Sequence, residues 1–389
     1  MGKHFCFFSA LYVPHSGGVE RYTLNLAKEL LENGHRVTVV TSNTENTADY
    51  VCTEEGIEVY YLPCFPLMGG RLPIPKKNGA YRDLFRKMAS VQYDAVVINT
   101  RFYFHSLIGA RFAKKHGIPS ITIEHGSAHL QMGTPLLNAL CGWYEHFVTA
   151  ILKRYCKTYY GVSKEACDWL SHFGIAAKGI LYNAVPEQEI ALLLQSDLPS
   201  FREKYNLSED TLVFSFIGRL VAEKGARSAV EGFRLAADET ERKMHLFVAG
   251  DGPLEAEMRS CTSANCTYLG RLPFSDVISL QKETDFFCFP SAYPEGFCTS
   301  VLEAIVCNSV VVATNVPGVS PIIADGESGI ILKENSAQAV KNGILRAVQI
   351  ENRAEFCARA RASYQSCGCT FRETARRLVR QFEKSGECE

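Results

Sequence analysis

Residues 3–41 narrow the possible folds more than any other part of the chain, because they read as strand, glycine turn, helix and strand in succession. Lys3–Ala10, Lys-His-Phe-Cys-Phe-Phe-Ser-Ala, is a short apolar run of the kind buried on both faces. A loop leads to His15-Ser16-Gly17-Gly18-Val19-Glu20. From Val19 to about Leu31 an amphipathic helix is expected, with Tyr22, Leu26, Ala27, Leu30 and Leu31 on one face and Asn33-Gly34 ending it. Arg36-Val37-Thr38-Val39-Val40-Thr41 is the next strand. Strands joined through a helix pair in parallel, and a parallel sheet is covered by helices on both faces. The chain is therefore expected to be an α/β protein.

The alternation continues. Ile57–Leu62, Ala95–Asn99, Ser120–Glu124, Thr158–Val162 and Gly179–Tyr182 read as further strands of the first half. Thr211–Ile217, His245–Ala249, Asp285–Pro290, Val310–Ala313 and Gly329–Leu332 do so in the second. A length of 389 residues exceeds what one core usually serves, so two domains are expected. Glu187–Leu207, mixed polar with Pro199, reads as the linker region. Residues 63–75, with four prolines and Gly69-Gly70, oppose regular structure. Phe371–Glu383 closes the chain as an amphipathic helix.

Candidate site residues cluster where predicted strands end. Gly17-Gly18 serves either as a tight turn or as backbone that a phosphate can approach closely. It is not Gly-x-Gly-x-x-Gly, and no acid ends the second strand, which argues against a dinucleotide cofactor. His125 follows the strand Ser120–Glu124 and is either a structural histidine or a ligand-facing one. Ser163 and Asn183 read as a helix cap and a turn residue or as further landmarks. Gly218-Arg219-Leu220-Val221-Ala222-Glu223-Lys224-Gly225 is not a Walker loop, because no Gly-Lys-Ser/Thr occurs in it. Its arginine and lysine suit a diphosphate. In Ser291–Ala304 a strand passes through a loop into a helix, with Glu295 before the helix and Glu303 about two turns inside it. The unpaired amides at such a helix start favour an anion.

Taken in order, Gly17-Gly18, His125, Gly218-Arg219 with Lys224-Gly225, and Glu295-Gly296-Phe297 with Leu302-Glu303-Ala304 resemble the motifs of the retaining glycosyltransferases of family 4. The resemblance implies a GT-B architecture, two Rossmann-like doubly wound parallel-sheet domains facing across a cleft. It implies an acceptor-binding domain over 1–187, a linker over 188–207, a nucleotide-sugar-binding domain over 208–370, and a terminal helix, 371–389, crossing back to the first domain. By the same resemblance His125, Arg219, Lys224 and Glu295 are the catalytic candidates. Arg219 and Lys224 would hold the donor diphosphate, Glu295 a sugar hydroxyl and Glu303 the ribose, with His125 facing the donor sugar. Gly17, Gly18, Gly218, Gly252, Gly270, Arg271, Gly296, Phe297, Cys298 and Thr299 would complete the donor site. Cys298-Thr299 stands where the family often has a glycine and an aliphatic residue. The implied reaction is retaining transfer of a sugar, from a UDP-sugar or alternatively GDP-mannose, to a hydroxyl of a saccharide or lipid-linked acceptor. The leaving phosphate would help take the acceptor's proton, in cell-surface polysaccharide or glycolipid synthesis. A nucleotide-sugar epimerase would differ by forming product without acceptor, and a nucleotide-sugar-binding scaffold by binding without turnover.

No cofactor and no metal are expected, because no Asp-x-Asp pair occurs to hold a cation on the diphosphate. The fifteen cysteines are scattered through strand and helix patterns, so they are expected as reduced thiols in a cytoplasmic protein. No run of about 18 apolar residues is present. Between Pro66 and Lys115, ten basic residues face two acids, and the aromatics Phe102-Tyr103-Phe104 and Trp143-Tyr144 lie nearby. That segment is either a solvated face or a surface for anionic lipid at the inner face of a membrane, or for a pyrophosphate-bearing acceptor. Nucleic acid is not expected, as no binding motif accompanies the charge.

Overall fold

The computed structural model describes residues 2–15, 17–130, 134–292 and 297–383, and these form two units. One gathers the described residues up to Asn183 with those from Thr370 onward; the other is Ala184–Cys369.

The first unit runs β1 (His4–Phe8), α1 (Gly18–Glu32), β2 (Arg36–Asn43), β3 (Tyr50–Cys52), β4 (Glu58–Leu67), β5 (Leu72–Pro75), α2 (Gly79–Ala89), β6 (Ala95–Asn99), α3 (Phe104–His116), β7 (Ser120–Glu124), α4 (Pro135–Leu152), β8 (Tyr159–Gly161) and α5 (Lys164–Ser171). The sheet order is β3-β4-β2-β1-β6-β7-β8, parallel from β4 to β8. Every residue of β1 and β6 is buried, which is why these strands read as apolar runs rather than alternating ones. On one face Phe8, Val96 and Ile98 pack with Leu107, Phe112 and Val148 from α3 and α4.

The second unit runs α6 (Glu187–Gln195), α7 (Phe201–Lys204), β9 (Leu212–Ile217), α8 (Ala226–Ala237), β10 (Met244–Ala249), α9 (Glu255–Ser260), β11 (Cys266–Gly270), α10 (Phe274–Glu283), β12 (Phe286–Phe289), α11 (Thr299–Val306), β13 (Val310–Thr314), β14 (Gly329–Leu332), α12 (Ala337–Ala347) and α13 (Arg353–Ser366). Its parallel sheet has the order β11-β10-β9-β12-β13-β14. Phe214, Phe216, Leu246, Val248 and Val312 meet Val230, Phe233, Val340 and Ile344 from α8 and α12. A last helix, α14 (Phe371–Glu383), belongs to the first unit. Its buried residues Phe371, Thr374, Ala375, Leu378 and Phe382 fall on one helical face. Phe371 meets Tyr22 and Phe382 meets Phe5, at 5.8 and 5.9 Å between ring centroids.

Three segments differ from the sequence expectation. Residues 63–75 are regular: β4 and β5 pair antiparallel, with Pro66 opposite Pro73 and Cys64 opposite Pro75. A two-stranded ribbon tolerates prolines because a missing N–H can face outward, and Met68, Gly69 and Gly70, all at positive φ, make its turn. Gly179–Tyr182 makes only a bridge, Gly161 with Ile180, rather than a strand. Residues 188–207 carry most of α6 and all of α7; Ile190 and Phe201 are buried, and the Ser200 side chain caps α7. A short amphipathic segment with one buried anchor per helix is easily mistaken for a polar linker.

Candidate functional site

In an open parallel sheet, ligands bind outside the carboxyl ends of the strands where the order reverses. In the second unit that point lies between β9 and β12, since the chain builds outward from β9 to β11 before crossing to β12 on its other side. The loop after β9 holds Gly218, Arg219 and Lys224, and the loop after β12 leads through Ser291 to α11. Backbone contacts join the two: the Ala292 N–H donates to the Glu223 carbonyl at 2.7 Å, and the Ser291 hydroxyl donates to the same oxygen at 3.4 Å. Gly225 has φ +81°, and a Cβ there would collide with the Pro290 carbonyl, so this position admits only glycine without a shift of backbone. Lys224 is thereby held beside the end of β12, its Nζ 5.6 Å from the centroid of the Phe289 ring. Arg219 is exposed.

The next two strands contribute their ends to the same edge. Gly218 N–H donates to Ala249 O at 3.0 Å, Leu220 N–H to Asp251 O at 2.7 Å, and Gly250 N–H to Gly270 O at 2.8 Å. Gly250, at φ +142°, lies so close to Gly218 that a side chain would strike its carbonyl. Gly252, at φ +144°, lies likewise against the Leu220 carbonyl, while Gly218 and Gly270 join this edge through the hydrogen bonds just given. The exposed Arg271 reaches Asp251, Nη1 to Oδ2 3.5 Å. Phe297 precedes α11, Cys298 is its N-cap residue and Thr299 its first residue; Glu303, one turn on, is buried. A helix start at this edge favours a negative charge. Glu295 and Gly296 lie outside the described residues.

In the first unit the order reverses between β1 and β6. Gly17 caps α1 in extended backbone, and a Cβ there would press on the Glu20 carboxylate, which would have to move aside. Glu20 is buried, with Oε1 3.0 Å from His15 Nδ1, and a Cβ at Gly18 would meet nothing within 4 Å. His125, just past β7, packs edge-on against Tyr22 of α1 at 4.8 Å. Asn99, at the end of β6, donates from Nδ2 to Thr23 Oγ1 at 2.7 Å, which turns its Oδ1 toward His125 Nε2 at 3.1 Å. The imidazole therefore carries its proton on Nε2, and burial pushes its pKa down to about 3. His125 is a neutral hydrogen-bonding group at neutral pH.

Sequence reasoning missed the charge beside it. Arg101 is buried, with Nε 3.3 Å from Glu124 Oε2 and Nη2 2.7 Å from Glu145 Oε2; all three side chains are 1% exposed. Its guanidinium also lies 3.7 Å from the centroid of the Phe173 ring. Glu124 accepts from the His125 and Gly126 amides at 3.1 and 2.9 Å, so the cluster fixes the loop carrying His125. Burial raises the pKa of Glu124, with Arg101 opposing the shift. Nothing in the local sequence pairs Arg101 with acids so distant along the chain.

Among the histidines whose pKa burial lowers, His105 falls to about 4, His125 to about 3 and His245 to about 4. Below pH 6.5 the unfolded chain takes up protons at these rings that the folded chain refuses, so stability falls as pH drops toward the folded values. Each ring contributes about 1 kcal/mol per pH unit in that window. Thermal unfolding at pH 7.5 and 5.0 is expected to show a clear loss of Tm at the lower pH, smaller in a His105→Gln variant; equal Tm values would contradict it.

The glycosyl transferases group 1 model matches residues 197–363, and the glycosyltransferase family 4 model matches residues 16–189. An uncharacterized glycosyltransferase of Methanocaldococcus jannaschii is 24% identical over 355 residues, covering 89% of each chain. One component of the human phosphatidylinositol N-acetylglucosaminyltransferase is 24% identical over 361 residues, 88% of this chain and 68% of that one. Among solved structures, a glycosyltransferase from Rickettsia africae superposes with a TM-score of 0.72 at 17% identity over 100% of both chains. An Anabaena protein in complex with UDP-glucose does so with 0.69 at 17% identity, over 98% of this chain and 100% of that one. At such identities the two structures show a shared fold, that of the GT-B glycosyltransferases.

Proposed function

The chain belongs to the glycosyltransferases of group 1 and family 4, and on that basis we propose that it is a retaining transferase whose second unit holds a nucleotide-diphosphate sugar. The observation that carries the proposal is the edge at the β9/β12 reversal, where Arg219, Lys224 and the start of α11 bring two cations and a helix amino end together. A diphosphate is the leaving group such an edge stabilises: charge builds on its bridging oxygen as the glycosidic bond breaks, and preorganised donors there need no reorganisation. The charge is met by side chains and amides, so transfer needs no divalent cation. Glu303 is assigned to the ribose, Gly252, Gly270 and Arg271 to the base side, and Phe297, Cys298 and Thr299 to the diphosphate. Glu295 and Gly296 keep the roles the family resemblance implies. Gly18, open to solvent space at the start of α1, leaves room for a ligand's close approach, and His125 supplies a neutral imidazole. A UDP-sugar is the proposed donor, supported by the Anabaena neighbour's complex with UDP-glucose. Isothermal titration with UDP and with GDP tests this: UDP is expected to bind one to one and more tightly than GDP. Absence of binding by both contradicts the site.

The proposed acceptor is a lipid-linked saccharide or glycolipid at the cytoplasmic face of a membrane, and the human relative's name carries phosphatidylinositol. No helix among the described residues is long and apolar enough to cross a membrane. The first unit offers two surface features suited to peripheral contact. Arg71, Lys76, Lys77, Arg82, Arg86, Lys87, Arg111, Lys114 and Lys115 are exposed, whereas Arg101 is not part of that surface. On α4, Leu136 and Trp143 are 73% and 68% exposed, with Leu140 and Phe147 on the same stripe. Apolar side chains this open, including a Trp143 ring stacked on Phe147 at 5.5 Å, suit a lipid interface. Each basic side chain near an anionic surface contributes about 1 kcal/mol, screened by salt. Binding to phosphatidylserine vesicles is expected to fall steeply with salt and on reversing Lys76, Lys77, Arg86 and Lys87. Equal binding to neutral and anionic vesicles would sink the idea.

A further inference from the structure

We propose that His129, His146 and His172 of the first unit form a binding site for one Zn²⁺-class transition-metal ion, separate from the donor site. The three come from different elements: His129 from the loop after β7, His146 from α4 and His172 from the C-cap of α5. Their ring nitrogens converge. Nε2 of His172 lies 3.2 Å from Nε2 of His129 and 3.1 Å from Nε2 of His146, and all three ligand atoms lie within 4.8 Å of one another. Tetrahedral Zn²⁺ with nitrogens at 2.0–2.1 Å places neighbouring nitrogens about 3.3 Å apart, so two of the three edges already have the required length.

Hydrogen bonding alone does not account for this convergence. A neutral imidazole nitrogen either donates one proton or accepts with one lone pair. His172 Nε2 faces two other Nε2 atoms and satisfies only one of them well, whereas an ion at the centre takes a lone pair from all three. The surroundings also match a metal site. His129 Nδ1 lies 3.3 Å from Glu145 Oε2, the position from which a carboxylate orients a ligating imidazole. That carboxylate is itself fixed by Arg101 at 2.7 Å and by the Leu130 amide on its other oxygen at 2.9 Å. The His172 ring stacks on Trp169 at 4.8 Å and 6°, and His146 lies 4.7 Å from Phe173.

Three imidazoles with an exposed fourth position suit Zn²⁺, Ni²⁺ or Cu²⁺ rather than the hard cations that prefer oxygen. An ion there pins α4 and α5 to the loop that carries His125 four residues before His129. The site is independent of the transfer chemistry, which takes its positive charge from Arg219 and Lys224.

The test uses the full chain, stripped of metal by a chelator and dialysed, titrated with Zn²⁺ by calorimetry and with Co²⁺ by visible absorption. One equivalent is expected to bind, to raise Tm, and to give a cobalt d–d band without thiolate-to-cobalt charge transfer. His146 and His172 are exposed, so His146→Gln and the double variant with His172→Gln should fold like the wild type without metal. Each is expected to weaken binding by more than the roughly 10–100-fold that loss of an outer-shell partner costs, and to abolish the Tm rise. Unchanged affinity in the double variant, a charge-transfer band from the free cysteines, or no Zn²⁺ binding by the wild type would each overturn the site.

Discussion

Replacement of Lys224 by alanine is expected to lower kcat by about 10²–10³, the scale of losing one preorganised donor to a developing anion. The expectation rests on how the lysine is held. The Ala222–Lys224 turn ends at Gly225, which fits against the Pro290 carbonyl only because it lacks a side chain. Glu223 O accepts from Ala292 N–H, tying the turn to the loop that enters α11. The turn that carries the lysine is therefore set by backbone before any ligand arrives, with the ammonium beside the Phe289 ring, and removing it takes away charge that water cannot replace in the same geometry. Because the leaving diphosphate gains charge in the transition state, the loss falls on kcat more than on the donor's KM. Arg219→Lys is expected to be impaired in the same direction, since a two-pronged fork becomes a point charge. Steady-state kinetics with donor varied at saturating acceptor decides the matter. A Lys224→Ala enzyme with kcat near that of the wild type would place the stabilising charge elsewhere.

Replacement of Arg101 by methionine is expected to destabilise the first unit by about 3–5 kcal/mol, although Arg101 touches no proposed substrate group. Its side chain is buried between Glu124 and Glu145, both buried as well. Without the guanidinium two carboxylates stay in a low-dielectric interior with no opposite charge, which is the costly way to break a buried ion cluster. The loss corresponds to a Tm drop on the order of 10 °C for a unit of this size. Replacing all three charged groups, Arg101→Met with Glu124→Gln and Glu145→Gln, removes the uncompensated charge and is expected to recover most of that stability. Differential scanning calorimetry compares the variants. A single variant as stable as the wild type, or a triple variant no better than the single, would show that the cluster's charge is not what matters there.

The fold was legible because parallel strands buried on both faces leave continuous apolar runs. Phe286–Phe289 and Val310–Thr314 needed no alternation to be recognised, and the spacing of Phe371, Ala375, Leu378 and Phe382 outlines α14. The β4–β5 hairpin was not legible, since the prolines that oppose a central strand are tolerated in a two-stranded ribbon. At the candidate site, Arg219 and Lys224 stand out in the sequence because both sit in one short loop after a strand. Glu303 was named through the resemblance of Leu302-Glu303-Ala304 to the family motif; its burial comes from the packing of α11. The Arg101–Glu124–Glu145 cluster and the three converging histidines were not readable, because their members meet only when α4, α5 and the end of β7 pack together.

Whether the chain moves a sugar from a nucleotide diphosphate to an acceptor hydroxyl with retention is decided by one transfer assay. The purified chain is incubated with each of a panel of radiolabelled UDP-sugars, and with GDP-mannose, in the presence of membrane lipid extract and EDTA. One donor, a UDP-sugar, is expected to label a product only when extract is present. Nucleotide diphosphate should be released in equal amount, and the new glycosidic bond should keep the donor's own anomeric configuration by NMR. An inverted linkage, product formed without acceptor, turnover abolished by EDTA and restored by magnesium or manganese, or binding of donor without any turnover would each contradict retaining, metal-independent transfer.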